Sequence, residues 1–253
     1  MPRSLTCDVV TLMVKPSGDS NREAWFLSAQ EGVIKATVFG GPKSKLRSQA
    51  APFNQGKLYI YHDPVRDSNK VIDFDVQLWR PGLREMYERI MAANSLAETV
   101  LATHAGGSSY GTALELASGA LDCLETADEK TCQRILLQFF WAWTELLGVK
   151  PDLNHCSVCA CDIKSDEILC YSPAESNPVC AKCLAINSAG HLGRVSEITV
   201  GPGARRWLAA VENAGPKNAL KFNLDTVSFD QARSLVLSVL TESVGRRLPL
   251  WDY

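Results

Sequence analysis

The sequence predicts an α+β protein of two parts: a small closed β-barrel over residues 1–80, and a mostly helical domain over residues 81–253. Three observations support this prediction. Short segments rich in β-branched and aromatic residues fill the first part, and apolar residues recur at helical spacing after Pro81-Gly82. Two Cys-x-x-Cys pairs then interrupt the helical pattern, which predicts an inserted metal ribbon at about residues 155–184.

Five candidate strands make up the first part. They cover residues 4–15, 24–28, 32–39, 57–62 and 71–78. The connection over residues 40–56 is too irregular for a strand and too polar for a core. Five short strands with a long basic connection are the layout of a five-stranded OB-fold barrel, whose face and loops bind single-stranded nucleic acid.

Apolar residues change to helical spacing after residue 82. The helical segments predicted from this spacing are residues 83–101, 114–124, 135–147, 203–213 and 229–248. Gly148 and Pro151 end the third of these helices, because glycine closes a helix readily and proline cannot continue one. The ribbon is therefore predicted to be an insertion within a helical domain.

The two cysteine pairs predict a structural zinc site. Cys156 and Cys159 form the first pair, and Cys180 and Cys183 form the second. Zinc takes four tetrahedral ligands, and two intervening residues let one tight turn direct both sulfurs to a single ion. Four thiolates fill the coordination shell of Zn2+, so no position is left open for a catalytic water.

Other roles for the cysteines remain open. Cys161 and Cys170 lie between the two pairs, and either one is an alternative metal ligand that could replace a neighbouring cysteine. His155 is a weaker candidate ligand than these two cysteines. A single C-x-x-C is also compatible with a redox motif. An odd count of nine cysteines with metal spacing indicates reduced thiols and a cytoplasmic location. Three cysteines outside the ribbon are predicted to be small core residues: Cys7, Cys123 and Cys132.

The formal net charge of −2 conceals a basic segment in the first part. Residues 1–80 carry eleven Lys/Arg and eight Asp/Glu, and residues 32–62 contain no acidic residue at all. The five candidate phosphate contacts in that segment are Lys35, Lys43, Lys45, Arg47 and Lys57. Four aromatic residues interleave with them, as base-stacking or core residues, and the two tyrosines are expected on one face: Phe39, Phe53, Tyr59 and Tyr61.

Several patterns typical of enzymes are missing from the sequence. The chain lacks the H-x-E element of zinc deaminases, the H-E-x-x-H of zinc proteases and the G-x-x-x-x-G-K-[ST] of P-loop proteins. It has only four histidines with which to build a His-based centre. We therefore expect a protein that is not an enzyme. No apolar run reaches the roughly 18 residues that a membrane span requires.

The basic segment and the ribbon together resemble the RecO family of recombination mediators, which are bacterial DNA-repair proteins. The run from Gly40 to Ser48, GGPKSKLRS, is similar to the family's Gly-x-[basic]-x-Ser run, and Pro52-Phe53 follows it as in the family. The two Cys-x-x-Cys pairs and the order of the two parts are also similar. The ribbon departs from the family pattern at Ala160, because a glycine usually follows the second cysteine.

This resemblance implies a protein that binds single- and double-stranded DNA and anneals complementary strands without catalysing a reaction. It also implies that the protein acts with RecR to help load RecA onto DNA coated by single-strand binding protein. The expected location is the cytoplasm, in association with the nucleoid. The family's helical domain recognises the acidic C-terminal tail of single-strand binding protein, and Arg205-Arg206-Trp207 is the candidate receptor here, since guanidinium groups pair with carboxylates. The alternative function is a zinc-ribbon module that binds protein or RNA and does not anneal strands.

Overall fold

The α+β class predicted from the sequence is confirmed by the fold. The computed structural model describes residues 4–41, 43–107, 109–172, 177–188 and 197–252. A closed five-stranded barrel forms the N-terminal part, and helices with a three-stranded sheet follow it. Contacts divide the chain into two compact units, residues 1–132 and residues 133–252, and the domain boundary at residue 80 stays a prediction.

The barrel contains all five predicted strands, and each strand begins and ends within three residues of its predicted bounds. Its elements are β1 (Ser4–Ser17), β2 (Asn21–Ser28), β3 (Gly32–Val38), α1 (Lys45–Gln49), β4 (Gln55–Asp63) and β5 (Ser68–Leu78). The strands close in the order β1-β2-β3-β5-β4, and β4 pairs with β1. Strands β3 and β5 are parallel and share only the Thr37–Lys70 register pair, whereas the other neighbours are antiparallel. This is the arrangement of an OB-fold.

Alternating side chains of the strands fill the barrel interior. The buried cluster comprises Cys7, Val9, Ala24, Phe26, Ile34, Ala36, Val38, Ala50, Leu58, Ile60, Val71 and Phe74. The rings of Phe26 and Phe74 meet edge to face at 5.9 Å, a favourable aromatic geometry. Burial raises the pKa of the Cys7 thiol, and it raises that of the buried Cys132 to about 11, so both thiols stay neutral. Cys123 is only partly buried.

The long connection between β3 and β4 differs from its expected structure. It forms the short helix α1, and it then contributes the fully buried side chain of Phe53 to the core. Phe53 has a left-handed backbone (φ 70°), and its N–H donates to the carbonyl of Thr11 at 2.7 Å. The Thr11 N–H donates in turn to the carbonyl of Asn54 at 2.9 Å. This pairing with β1 holds the end of a polar segment inside the molecule, which its composition did not indicate.

Two helices complete the first unit. They are α2 (Tyr87–Ala102) and α3 (Tyr110–Leu124). Small and branched apolar residues form the buried face of α3: Ala113, Leu114, Ala117, Ala120, Leu121 and Leu124. Their helical spacing lets α3 contact both α2 and β2.

A buried arginine joins the barrel to α3. Arg80 is 2% exposed, and its guanidinium donates to the Phe53 carbonyl at 3.0 Å, to Gln55 Oε1 at 2.6 Å and to Ser118 Oγ at 2.8 Å. Its Nε also lies 2.7 Å from Asp122 Oδ1. The planar guanidinium can satisfy four acceptors from two chain segments at once, which no other side chain can do.

The second unit contains the remaining helices and the ribbon sheet. Its elements are α4 (Glu129–Leu146, which begins in the first unit), β6 (Leu169–Ser172), β7 (Asn177–Cys180), α5 (Ala181–Ser188), β8 (Ile198–Val200), α6 (Pro202–Val211), α7 (Pro216–Ala219) and α8 (Thr226–Val244). The three strands are antiparallel in the order β7-β6-β8. Aromatic residues of α4 build its core, where the rings of Phe139 and Trp143 lie 5.1 Å apart. None of the described helices has the length and apolar character that crossing a membrane requires.

Arg80→Ala is expected to lower the free energy of unfolding by about 3 kcal/mol. The substitution leaves the buried Phe53 carbonyl without its donor, at a cost of about 1–3 kcal/mol, and removes two further hydrogen bonds, to Gln55 and Ser118, which still pair with each other. The ion pair contributes less, because the Asp122 side chain is 46% exposed. Urea unfolding measures the change. Arg66→Ala, at an exposed turn, is the control and should change stability by less than about 0.5 kcal/mol. Equal stability of the two variants would contradict a structural role for Arg80.

Candidate metal centre and nucleic-acid interface

A tight turn holds the first cysteine pair. The Ala160 N–H donates to the carbonyl of Cys156 at 2.8 Å, and the Cys156 N–H donates to the carbonyl of Cys161 at 2.9 Å. Ala160 has φ 56°, so an alanine adopts the left-handed conformation that suits a glycine. This costs about 1 kcal/mol, and the hydrogen bonds of the turn offset it. The departure from the family pattern therefore leaves the turn intact.

The second pair lies at the junction of a strand and a helix. Cys180 ends β7 and Cys183 lies in the first turn of α5. The Cys180 N–H donates to the sulfur of Cys156 at 3.3 Å. Ser157 ties the first turn to β7, because both its N–H and its hydroxyl donate to the Pro178 carbonyl, at 3.0 and 2.9 Å. The sheet thus brings two pairs that are distant in sequence into contact.

The four predicted sulfurs form one group. The ligand atoms of Cys156, Cys159, Cys180 and Cys183 all lie within 4.8 Å of one another. A tetrahedral ion with bonds of about 2.3 Å needs sulfurs about 3.8 Å apart, so the group fits a metal after small adjustments. Cys156 and Cys180 are buried, whereas Cys159 is exposed. The donor set can hold one metal ion, and its closed shell of four sulfurs suits a structural role.

Backbone donors favour the thiolate form of the first pair. Burial alone raises the pKa of Cys156, but N–H groups of Cys180, Cys159 and Val158 donate to its sulfur and lower the pKa to about 6. The N–H of Cys161 lowers the pKa of Cys159 in the same way. A metal binds thiolates, so these donors prepare the first turn for an ion at neutral pH.

The alternative ligands lie outside the four-sulfur group. The sulfur of Cys161 is 3.2 Å from that of Cys159, and this contact raises the pKa of Cys161 to about 12. Cys170 lies on β6 opposite Val179 and Thr199, and burial raises the pKa of its thiol. Cys161 therefore adjoins the group, whereas Cys170 is a buried residue of the ribbon sheet.

His155 faces carboxylates. Its Nδ1 lies 2.6 Å from Asp152 Oδ2, and its Nε2 lies 3.3 Å from Asp162 Oδ1. The hydrogen bond and the charge of Asp152 raise the pKa of His155. Both ring nitrogens are engaged by these carboxylates, which leaves the four sulfurs as the grouped donors.

The buried side chain of Arg205 holds the turn of the first cysteine pair by hydrogen bonds. It is 5% exposed and donates to four backbone carbonyls on both sides of that turn. The acceptors belong to Leu153, Ile163, Lys164 and Glu167. The receptor expected at Arg205-Arg206-Trp207 is therefore wrong, because Arg205 is buried with both terminal nitrogens bound to carbonyls and Trp207 is buried as well. Only Arg206 of the three is exposed.

Three of the predicted phosphate contacts share one short segment. Lys43, Lys45 and Arg47, called the α1 basic cluster below, lie in α1 and the turn before it, and Pro42 is outside the described residues. Gly40 begins this segment with φ 125°, and a Cβ atom there would lie 2.6 Å from Ser44 Oγ. In the part of the chain that the structure describes, the ion pairs do not involve this cluster.

The other two predicted contacts lie beside carboxylates. Lys35 projects from β3, and its Nζ lies 2.9 Å from Glu23 Oε1. Lys57 stands on β4 between Asp8 of β1 and Asp75 of β5 in the strand register. The fold therefore distributes the five basic residues over different strands and loops. Their contact with DNA stays a prediction.

The aromatic residues of the basic segment divide between surface and core. Phe39 is 46% exposed at the end of β3, whereas Phe53 is buried. Tyr59 and Tyr61 alternate with buried residues of β4, so they share one face, as predicted, and that face points outward.

Sequence reasoning missed a second group of aromatic and basic residues on the barrel. The amines of Lys15 and Lys35 lie 5.6 and 5.3 Å from the centre of the Trp25 ring, and that of Lys70 lies 5.9 Å from the Tyr61 ring. The available signal was the alternation of β2, in which Trp25 has two buried neighbours. That signal gives the side of the strand, but it does not show which lysines lie across from the ring.

One hydrolase-like pattern is present in the sequence. Residues 107–111 match G-x-S-x-G, with Ser109 as the central serine. A nucleophile elbow requires a strand before the serine and a helix after it. Ser109 is instead the N-cap residue of α3 and follows a short 3-10 turn over His104–Gly106, so this pattern lacks the context of a catalytic serine.

Comparisons with known proteins agree with this arrangement. A family model described as "Recombination protein O C terminal" matches residues 84–252, which is more than half of the chain. The DNA repair protein RecO of Maridesulfovibrio salexigens is similar to this chain, with 24% identity over 225 residues. That alignment covers 87% of this chain and 86% of the other protein.

With Zn2+ as the probe metal, Arg205→Ala is expected to weaken metal binding by about 10- to 100-fold, the usual effect of losing a group that orients the ligands. The guanidinium holds the backbone on both sides of the first cysteine pair, and its loss leaves four carbonyls unpaired. Competition with a chromophoric chelator measures the affinity. Arg206→Ala, at the adjacent exposed position, is the matched control and should bind zinc as the parent does. Equal zinc affinity of the Arg205 variant would contradict this role.

Proposed function

Since this chain belongs to the RecO family of DNA repair and recombination proteins, we propose that it is a recombination mediator that anneals complementary DNA strands. In this proposal it binds single- and double-stranded DNA and, with RecR, helps load RecA onto DNA coated by single-strand binding protein. The observation that supports this most directly is the OB-fold barrel with the α1 basic cluster on its longest loop. We assign the DNA contacts to residues 1–80 and the site of action to the cytoplasmic nucleoid.

Charge neutralisation explains how such a surface promotes annealing. Two DNA strands repel each other through their phosphates, and the cations of the α1 basic cluster replace the counterions of both backbones. Once the strands lie close together, base pairing supplies the driving force. The protein makes and breaks no covalent bond in this work, which agrees with a non-catalytic role.

We propose that the ion held by the four sulfurs is Zn2+ and that its role is structural. Thiolate ligands at Cys-x-x-Cys spacing suit zinc, and the shell leaves no open position. Binding of zinc to finger peptides contributes about 10–16 kcal/mol, enough to order a segment that has little core of its own. The ion would then keep the loop before β6 attached to β7 and α5.

The acidic tail of single-strand binding protein is the partner we propose for the helical domain. The second unit has a cavity of about 180 Å³ whose lining includes Trp141, Lys150 and Arg206. Arg206 is exposed and able to meet a carboxylate. Lys150 is already paired with Glu145 and Glu212, so Arg206 is the cation that a tail would meet first.

A zinc-ribbon module that binds protein or RNA is the second candidate function. The exposed face of the ribbon favours it, since Cys159, Val158 and Ile168 are all exposed near the metal group. Such a module would bind its partner without accelerating strand annealing, and this difference separates the two candidates.

The Lys43→Ala/Lys45→Ala/Arg47→Ala variant is expected to lose acceleration of annealing. The assay follows complementary oligonucleotides coated with single-strand binding protein. Each lost phosphate contact lowers the slope of log K against log salt on single strands by about 0.7, so the slope should fall by about 2.

The matched control removes the same charge from the second unit. Lys217→Ala/Lys221→Ala/Arg246→Ala changes three exposed basic residues far along the chain and should anneal as the parent does. Equal loss in both variants would indicate a general charge effect and contradict the assigned surface. No acceleration by the parent protein would contradict the mediator function and favour the ribbon module.

Purified protein is expected to contain one zinc ion per chain, and Cys180→Ser is expected to contain none and to be less stable. The serine hydroxyl is a poor zinc ligand, and the ordered ribbon depends on the ion. Elemental analysis measures the content. Cys123→Ser lies outside the group and is the control, while full zinc in Cys161→Ser would exclude that residue as a ligand. A parent protein without zinc would refute the assignment.

A further inference from the structure

The outer face of β1, β2 and β3 carries an indole ring between two lysines. Trp25 is half-buried at the centre of β2 and points away from the barrel core. Lys35 lies directly across from it on β3, and Lys15 approaches the ring from β1. A partly exposed ring with cations on two sides combines the features that single-strand binding sites share, a stacking surface and phosphate contacts.

A second pair of this kind lies on the other side of a groove. The Lys70 amine of β5 lies near the Tyr61 ring of β4, and these two residues are register partners. On one side of the closed barrel, β3 and β5 lie between the strand of Trp25 and the strand of Tyr61. Between them, β3 and β5 diverge and leave a groove of about 600 Å³ that includes Lys35, Thr37 and Asn69 in its lining. Lys35, which contacts the Trp25 ring, lines this groove, and so do Ile60 and His62, the neighbours of Tyr61 on β4.

The charges indicate how a strand would lie on this face. Carboxylates of Glu31 and Asp67 line the groove, so phosphates are repelled from its interior. Lys35 also lines the groove, and both Lys35 and Lys15 lie beside Trp25. A single strand avoids the carboxylates and meets the lysines when its bases face the rings and its phosphates remain at the lysine amines. A duplex cannot do so, because its bases are stacked on each other.

We propose that Trp25 is a base-stacking position for single-stranded DNA, with Lys15 and Lys35 contacting the flanking phosphates and Tyr61 with Lys70 forming a second position. This inference rests on the proposed function and adds a surface separate from the α1 basic cluster. When a base stacks on Trp25, the lysine amines turn from the ring to the phosphates. Glu23 holds Lys35 in an ion pair and therefore competes with the DNA.

Trp25→Leu is expected to weaken binding of a fluorescent oligothymidylate by about 5- to 100-fold, the loss of one stacked base. Leucine keeps an apolar side chain on the strand but removes the ring face. Trp25→Phe keeps a ring and should bind within about threefold of the parent. Fluorescence anisotropy across a salt series measures both the affinity and its slope.

The salt dependence of binding distinguishes the loss of base stacking from the loss of a phosphate contact. Trp25→Leu should leave the slope of log K against log salt unchanged, whereas Lys35→Ala should reduce it by about 0.7. Glu23→Gln should bind about two- to fivefold tighter, because it releases Lys35 from its exposed ion pair. Trp79→Leu is the control, since Trp79 is 48% exposed at the far end of β5 and should bind as the parent does.

Each outcome has a definite meaning. A parent that does not bind oligothymidylate refutes the proposed function itself. A parent that binds, with Trp25→Leu equal to it, refutes the stacking position and leaves the proposed function in place. Equal weakening in the Leu and Phe variants also refutes stacking, because a ring would then make no difference. Thermal unfolding of each variant confirms that the barrel remains folded.

Discussion

The buried guanidinium of Arg80 is the contact on which the first unit depends. Its side chain is buried, and acceptors from two chain segments, residues 53–55 and residues 118–122, converge on it. Among those acceptors is the Phe53 carbonyl, at the end of the loop that carries the α1 basic cluster. The position of a proposed DNA-binding loop is thus set by an arginine that is itself inaccessible to DNA.

In the second unit, a buried arginine likewise pairs several acceptors, next to the metal group. Arg205 satisfies four backbone carbonyls around the first cysteine pair, where irregular chain offers few internal hydrogen bonds. A loop without regular structure must still pair its buried carbonyls, and one arginine does so with little added volume. Both buried arginines therefore orient functional segments and are not themselves ligands. The exposed basic residues are left to meet phosphate or carboxylate partners.

The charge distribution suits transient contact with DNA. The protein carries a small net negative charge, and carboxylates stand next to Lys35 and Lys57 on the barrel. In the proposed function, such neighbours would weaken each phosphate contact, so binding would rely on several modest interactions together with stacking on exposed rings. A mediator must release strands after they pair, and weak distributed contacts permit that release.

The sequence by itself determined the elements that depend on local patterns. Strand alternation, helical spacing and the Cys-x-x-Cys pairs each act over a few residues, so the barrel strands, the long helices and the four grouped sulfurs were all predictable. Tertiary structure alone decided the burial of Phe53, Arg80 and Arg205, and the lysines that meet Trp25. Those outcomes depend on strand register and on partners far away in the chain, and a local pattern carries no information about either.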